Sequence, residues 1–267
     1  MGLHLNYYLK LSITIIIFII AVIKGYPELS ESFYVGSIKP QPSPYVIPKT
    51  IIQTYHDKSK IPIKVYKNIR RFSPGYRHII FDDPECIAFI RKYYNENLVK
   101  IFQSLGGAHR ADLFRYCYLY QFGGFYLDIK IEMIRPMRDL YTLLSKHNVK
   151  LTSVLSIVRR TVFQGFIGSV PKNPIFLDLI QFITDNYKKC KRNYLILTRD
   201  FYSKVKKLGG RPSQGNNPET NLFFFKESCD SDPTHCYDGL DRYNKCCFIN
   251  YDGEKFLKTR YSDYPWK

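Results

Sequence analysis

Acidic residues are scarce in this chain. Its 267 residues include 23 Asp and Glu against 40 Lys and Arg, a net charge of +17. An excess of this sign attracts polyanions, anionic lipid surfaces or phosphate-bearing ligands, and composition does not choose among them. No Asn-x-Ser/Thr sequon occurs, so glycosylation lends no support to a luminal placement. The seven cysteines contain no Cys-x-x-Cys pair, which weighs against a zinc site. A recognition motif for nucleic acid is missing too. The basic pairs Arg70-Arg71, Lys188-Lys189, Lys191-Arg192 and Lys206-Lys207 are scattered, and no nucleic-acid partner is expected.

Long apolar runs are also lacking. Leu11 to Ile23 is uncharged over 13 residues between Lys10 and Lys24, short of the roughly 20 that a spanning helix needs. Its length matches a signal-peptide core. The expectation is a signal anchor over 1–24, giving a single-pass type II membrane protein with a luminal domain; cleavage of the segment would make the protein secreted. Residues 25–48 hold five of the fifteen prolines, a composition suited to a stem over 25–44, with a folded domain over 45–267.

Aromatics are plentiful, 23 Tyr and 19 Phe. The chain is long enough for one α/β domain with a sizeable core. Periodicity predicts strands over 46–55, 78–81, 125–127, 149–157 and 161–167, with a short one at 131–134. Helices are expected over 64–72, 85–94, 96–105 and 174–190. Strands alternating with helices predict an open, mainly parallel sheet flanked by helices. Cys86 and Cys117 lie in apolar-periodic stretches and read as core residues. Cys229, Cys236, Cys246 and Cys247 crowd together and read as one or two disulfides in an oxidising compartment, or less readily as a zinc site.

The chain is organised around residues 107–128, GAHRADLFRYCYLYQFGGFYLD. Leu113, Tyr116, Cys117 and Tyr120 recur at helical spacing and predict an amphipathic helix. Asp112 and Arg115 project from one side of it. Gly123-Gly124 stops the helix, and Phe125-Tyr126-Leu127 delivers Asp128 to a strand tip, where open α/β sheets bind ligands. If the strand continued, Lys130 and Glu132 would point the same way as Asp128.

The pattern Ala108-x-Arg110-x-Asp112-x-x-Arg115-Tyr116, then Leu119-x-x-x-Gly123-Gly124-x-Tyr126-x-Asp128, resembles the DXD-containing sugar transferases of glycosyltransferase family 32. The initiating α-1,6-mannosyltransferases belong there, and the glucosylating domain of large clostridial toxins is similar. Ile47 to Tyr55, Phe163 to Ile167 with Pro171-x-Asn173-Pro174, and Leu197-Thr198-Arg199 extend the resemblance over residues 46–200. It implies a GT-A-like, Rossmann-like nucleotide-sugar fold. The activity implied is that of a hexosyltransferase: retaining, with a nucleotide-diphosphate-sugar donor, a glycan or glycoprotein acceptor, and Mn²⁺ or Mg²⁺ as cofactor.

By the same resemblance Asp112, Arg115 and Asp128 are catalytic. Tyr55, Arg110, Asp112, Arg115, Tyr126, Lys130 and Trp266 contact the donor. Asp128 holds the metal, with Glu132 as a second carboxylate. The family writes Asp-x-Asp where this chain has Asp128-Ile129-Lys130. That departure leaves open a sugar-binding relative without catalysis.

Overall fold

The computed structural model describes residues 45–230 and 246–259. The N-terminal apolar run, the stem, Cys236 and Trp266 lie outside them. No helix among the described residues is long and apolar enough to cross a membrane.

The N-terminal half alternates strand and helix. β1 (Thr50–Thr54) is followed by α1 (Ile63–Phe72), β2 (Arg77–Phe81), α2 (Asp83–Tyr93), α3 (Glu96–Ser104), α4 (Gly107–Phe122) and β3 (Gly124–Leu127). β4 (Glu132–Met133), α5 (Met137–Lys146), β5 (Leu151–Leu155), β6 (Val162–Ser169), α6 (Ile175–Cys190) and α7 (Ile196–Gly209) come next. The chain then runs through β7 (Gly215–Asn217), β8 (Leu222–Asp230), β9 (Cys246–Tyr251) and β10 (Glu254–Thr259). The ten strands among the described residues join one sheet in the order β2-β1-β3-β6-β5-β8-β9-β10-β4, with β7 paired to β8.

The sheet is mixed, which corrects the expectation of a mainly parallel one. β1 pairs in parallel with β2 and β3, and β5 with β8, whereas the other six pairings are antiparallel. Helical crossovers force parallel neighbours, and α1 supplies one. β5 and β6 are joined by a short loop, which permits only a hairpin, and β8, β9 and β10 pair in sequence at the opposite side.

Alternation along the strands divides the core in two. Ile52, Tyr126 and Phe224 face one side with α2, α3, α4, α6 and α7. Ile51, Phe125, Leu127, Phe223 and Phe225 face the other with α1 and α5. Each large apolar side chain buried this way contributes about 1.5–3 kcal/mol.

α4 departs from the expected amphipathic pattern, for Asp112 to Leu119 are buried without a break. The helix packs against the sheet on one side and α2, α3 and α6 on others, so residues 112–119 keep no face for solvent. Gly123 (φ 63°) ends it, and Gly124 (φ 103°) brings the chain onto β1, where a Cβ would lie 2.8 Å from the Thr50 carbonyl oxygen. Only glycine fits both the left-handed backbone and that approach.

Cys86, Cys117 and Cys190 are buried free thiols. Cys229 and Cys247 form a disulfide across β8 and β9, and Cys246 is also disulfide-bonded. The expected staple is present, and the zinc alternative falls for these thiols.

Candidate functional site

β1, β2 and β3 run parallel, so their C-terminal ends open on one side of the sheet. A cavity of about 300 Å³ lies there, lined by Thr54 at the end of β1 and Tyr55 after it, Asp83 after β2 and Asp128 after β3. The N-terminal half of α4 closes it with Asp112 and Arg115, and β6 contributes Gln164 and Gly165.

Arg115 connects the acidic groups. Its Nη2 lies 3.3 Å from Asp112 Oδ1 and 3.2 Å from Asp128 Oδ1. Nε donates to the Ala111 carbonyl at 3.1 Å, and Nη1 to the Gln164 carbonyl. The guanidinium also lies 4.1 Å from the Tyr126 ring centroid, within cation–π range. Burial pulls its pKa down, but Tyr126, Asp128 and Asp112 outweigh that and leave it raised. Arg115 is 4% exposed and commits its donors to the protein, fixing the two carboxylates relative to each other.

Each carboxylate has further partners. Tyr126 OH donates to Asp128 Oδ1 at 2.8 Å and is shared with Thr54 Oγ1 at 3.2 Å. The Asp128 amide is held by the Gly165 carbonyl at 2.7 Å, and Gln53 Nε2 reaches the Asp128 carbonyl at 3.4 Å. Gln53 Oε1 in turn accepts from His78 Nε2 at 2.9 Å, on an imidazole whose pKa burial lowers to about 4. On α4, His109 Nδ1 lies 3.1 Å from Asp112 Oδ2.

Of the residues singled out from sequence, Tyr55, Arg110, Asp112, Arg115, Tyr126, Asp128 and Lys130 all line this cavity. Arg110 does so while tied to the scaffold, by Asp83 Oδ2 at 2.5 Å and the carbonyls of Leu105 and Gln103. Tyr55 packs partly against Ile61, Val65 and Ile129. Glu132 is a correction: it does not line the cavity and pairs with Lys258 on β10 instead. The strand does not continue past Asp128. The chain turns there, with the Ile131 amide bonded to the Asp128 carbonyl at 2.9 Å, and strand alternation no longer applies. Lys130 reaches the cavity through that turn.

Sequence reasoning missed His109, Gln164 and Tyr194. Gln164 is buried with Oε1 accepting from Tyr116 OH, and its Nε2 has no partner among the described residues. Tyr194, between α6 and α7, is 70% exposed yet lines the cavity. Desolvation of its phenol and the carboxylates of Asp112 and Asp128 raise its pKa.

The residues suit a divalent cation to a limited extent. Asp128 Oδ1 is occupied by Tyr126 and Arg115, whereas Oδ2 faces the space that a Cβ on Gly165 would fill, 3.1 Å away. That leaves one carboxylate oxygen for the ion, with phosphate and water oxygens completing a shell. Among the described residues the one three-ligand cluster is Glu227 with Cys229 and Cys247, whose sulfurs are joined to each other.

Residues 60–150 match the family model described as "Glycosyltransferase sugar-binding region containing DXD motif". A mannosyl phosphorylinositol ceramide synthase of Saccharomyces cerevisiae is 31% identical over 157 residues, 57% of this chain and 38% of the relative. An initiation-specific α-1,6-mannosyltransferase of Schizosaccharomyces pombe is 28% identical over 158 residues, 52% of this chain and 40% of the relative. The matches thus span about two fifths of these relatives' length. A solved structure, the PaToxG glycosyltransferase, aligns with 62% of this chain and 71% of its own at 15% identity, with a TM-score of 0.45. The matched residues 60–150, about a third of the chain, contain Asp112, Arg115 and Asp128, so the similarity to glycosyltransferase sugar-binding regions with a DXD motif falls on the residues that line this cavity.

Proposed function

We propose that this chain is a retaining hexosyltransferase of GT-A-like fold, moving a sugar from a nucleotide-diphosphate donor to a hydroxyl of a glycan-type acceptor. The reading rests on one observation: Arg115 Nη2 stands within hydrogen-bonding reach of a helix-borne and a strand-borne carboxylate, Asp112 and Asp128, on the wall of one cavity. Asp112 keeps oxygen lone pairs for sugar hydroxyls. Asp128 Oδ2 is the oxygen left for a divalent cation, which when bound would take up charge on the leaving phosphates.

Lys130 adds positive charge on the same wall, favouring the diphosphate while opposing a cation. In the transfer, an acceptor oxygen bonds to the anomeric carbon as the bond from that carbon to the diphosphate breaks. The hydroxyl proton passes to the departing diphosphate. Retention follows from the family resemblance alone. Mannose is the first donor sugar to test, because both curated relatives above carry mannosyl transfer in their names.

The test is a donor screen on the full chain, with Mn²⁺ and with EDTA, reading released nucleotide. Release from at least one nucleotide-diphosphate sugar is expected. A folded protein that releases none in either condition overturns the reading in favour of a sugar-binding relative.

A further inference from the structure

The mouth of the cavity is built differently from its floor. One side of the rim is the β5–β6 loop, where Ser156, Val158 and Thr161 line the cavity. Ile157 and Val158 are 47% and 36% exposed, and Arg159 and Arg160 beside them are exposed as well. Another side is the α6–α7 connection, where Tyr194 is 70% exposed and follows the exposed pair Lys191-Arg192. At both places a large apolar side chain in water stands next to two cations. None of the four cations forms an ion pair with a described residue.

The β5–β6 loop holds this arrangement by design of its anchors. Glu227, 1% exposed, accepts through Oε2 from Ser156 Oγ at 3.0 Å and from the Ile157 amide at 3.3 Å. Thr161 Oγ1 donates to the Val158 carbonyl at 2.6 Å, and the Ser156 amide to the Thr161 carbonyl at 3.2 Å. Arg160 turns the chain at φ 60°. A buried carboxylate thus fixes a loop whose aliphatic tips point away from the core. On the other side, Asn193 Oδ1 accepts the Leu195 amide at 3.1 Å and braces the segment that carries Tyr194.

Exposed aliphatic and aromatic tips beside arginine and lysine match the interface of an anionic bilayer, which takes apolar groups at acyl depth and cations at its phosphates. A soluble polyanion would leave Ile157 and Val158 in water. We propose that the cavity mouth docks on an anionic lipid surface, with Ile157, Val158 and Tyr194 in the interface and Arg159, Arg160, Lys191 and Arg192 on headgroup phosphates. The acceptor hydroxyl is then presented from the membrane, a step that rests on the transferase reading above; the docking itself does not.

The test uses the full chain carrying Val158→Cys labelled with an environment-sensitive fluorophore. Cys86, Cys117 and Cys190 are buried and do not compete for the label. A second protein carries the label at Phe122→Cys, at the far end of α4, roughly 10–15 Å along the helix from Arg115 and Asp112 at 1.5 Å per residue. Vesicles of phosphatidylcholine alone and with phosphatidylserine are compared. The label at 158 is expected to blue-shift only with phosphatidylserine, and the label at 122 not at all. Arg159→Ala with Arg160→Ala should raise the phosphatidylserine concentration for half-maximal response roughly 30-fold, at the usual contribution of a cation near an anionic surface. No shift at 158, equal shifts at 158 and 122, equal shifts on neutral vesicles, or the same shift with a soluble polyanion would each overturn the proposal. Nucleotide release from soluble donor, measured on the same proteins, reports on the transferase reading separately.

Discussion

Arg115 Nη2 sits 3.2 Å from Asp128 Oδ1, joining a helix residue to a strand tip thirteen positions later. The guanidinium is buried and Asp128 is partly exposed, its side chain 35% accessible. One partner therefore serves the architecture and the other stays open to ligand.

Removing the buried partner should cost the most stability. Arg115→Met leaves Asp112, the Gln164 carbonyl and part of Asp128 without their donor, and losing one side of a buried charge cluster typically costs about 3–5 kcal/mol. Arg91→Met, which breaks the exposed pair with Glu96, should cost at most about 1 kcal/mol. Urea denaturation of the two variants measures the contrast, and equal costs would mean that Arg115 does not organise the site.

Asp128→Asn is expected to abolish sugar transfer while the protein stays folded. The amide oxygen can still accept from Tyr126 OH, but the negative charge facing the cavity is gone. Donor turnover and far-ultraviolet circular dichroism are measured together. Wild-type turnover by the folded variant removes Asp128 from the mechanism.

By the family resemblance, Lys130 takes the place of a second carboxylate. Lys130→Asp should lower the Mn²⁺ concentration for half-maximal activity, because a repelling charge is replaced by an attracting one. Should the lysine stand in for the ion, wild type works in EDTA and the variant needs metal. Identical metal titrations for the two proteins would place Lys130 away from the phosphates.

The pH dependence of stability should carry the mark of His78. Burial lowers its folded pKa to about 4 from an ordinary 6.5, so between those values the unfolded state binds more protons. Stability is fully present above about 6.5 and falls as pH drops towards 4, by at most about 3 kcal/mol. His78→Gln should flatten that limb in denaturation curves taken across pH 4–7. An unchanged acid limb would assign it to other groups.

The centre of the site was legible because it is local. Asp112 and Arg115 share a helical turn, Gly123-Gly124 breaks the chain, and three apolar residues carry Asp128 to a strand end; spacing places these residues, and the family resemblance singled them out as the site. The prediction failed where the next step was not periodic. A turn after Asp128 takes Glu132 to the far edge of the sheet, and no sequence pattern announced it. Gln164 and Tyr194 stayed invisible for a related reason. They come from β6 and the α6–α7 connection, and reach the cavity by packing across the molecule.

Alternation along strands and helices, the glycine stop and the spacing of acid and base were determined by the sequence itself, since each depends on neighbours within a few residues. Strand direction, the burial of residues 112–119 of α4 on every side and the partners of Arg115 were decided only by the tertiary structure. A strand reads the same whether its neighbour runs parallel or antiparallel, and a helix surrounded by aromatics differs from an amphipathic one only in what packs against it. Arg115 shows the difference best: its helical position fixes Asp112 as a partner, but Asp128 and the Gln164 carbonyl meet it only because β3 and β6 pair beneath the helix.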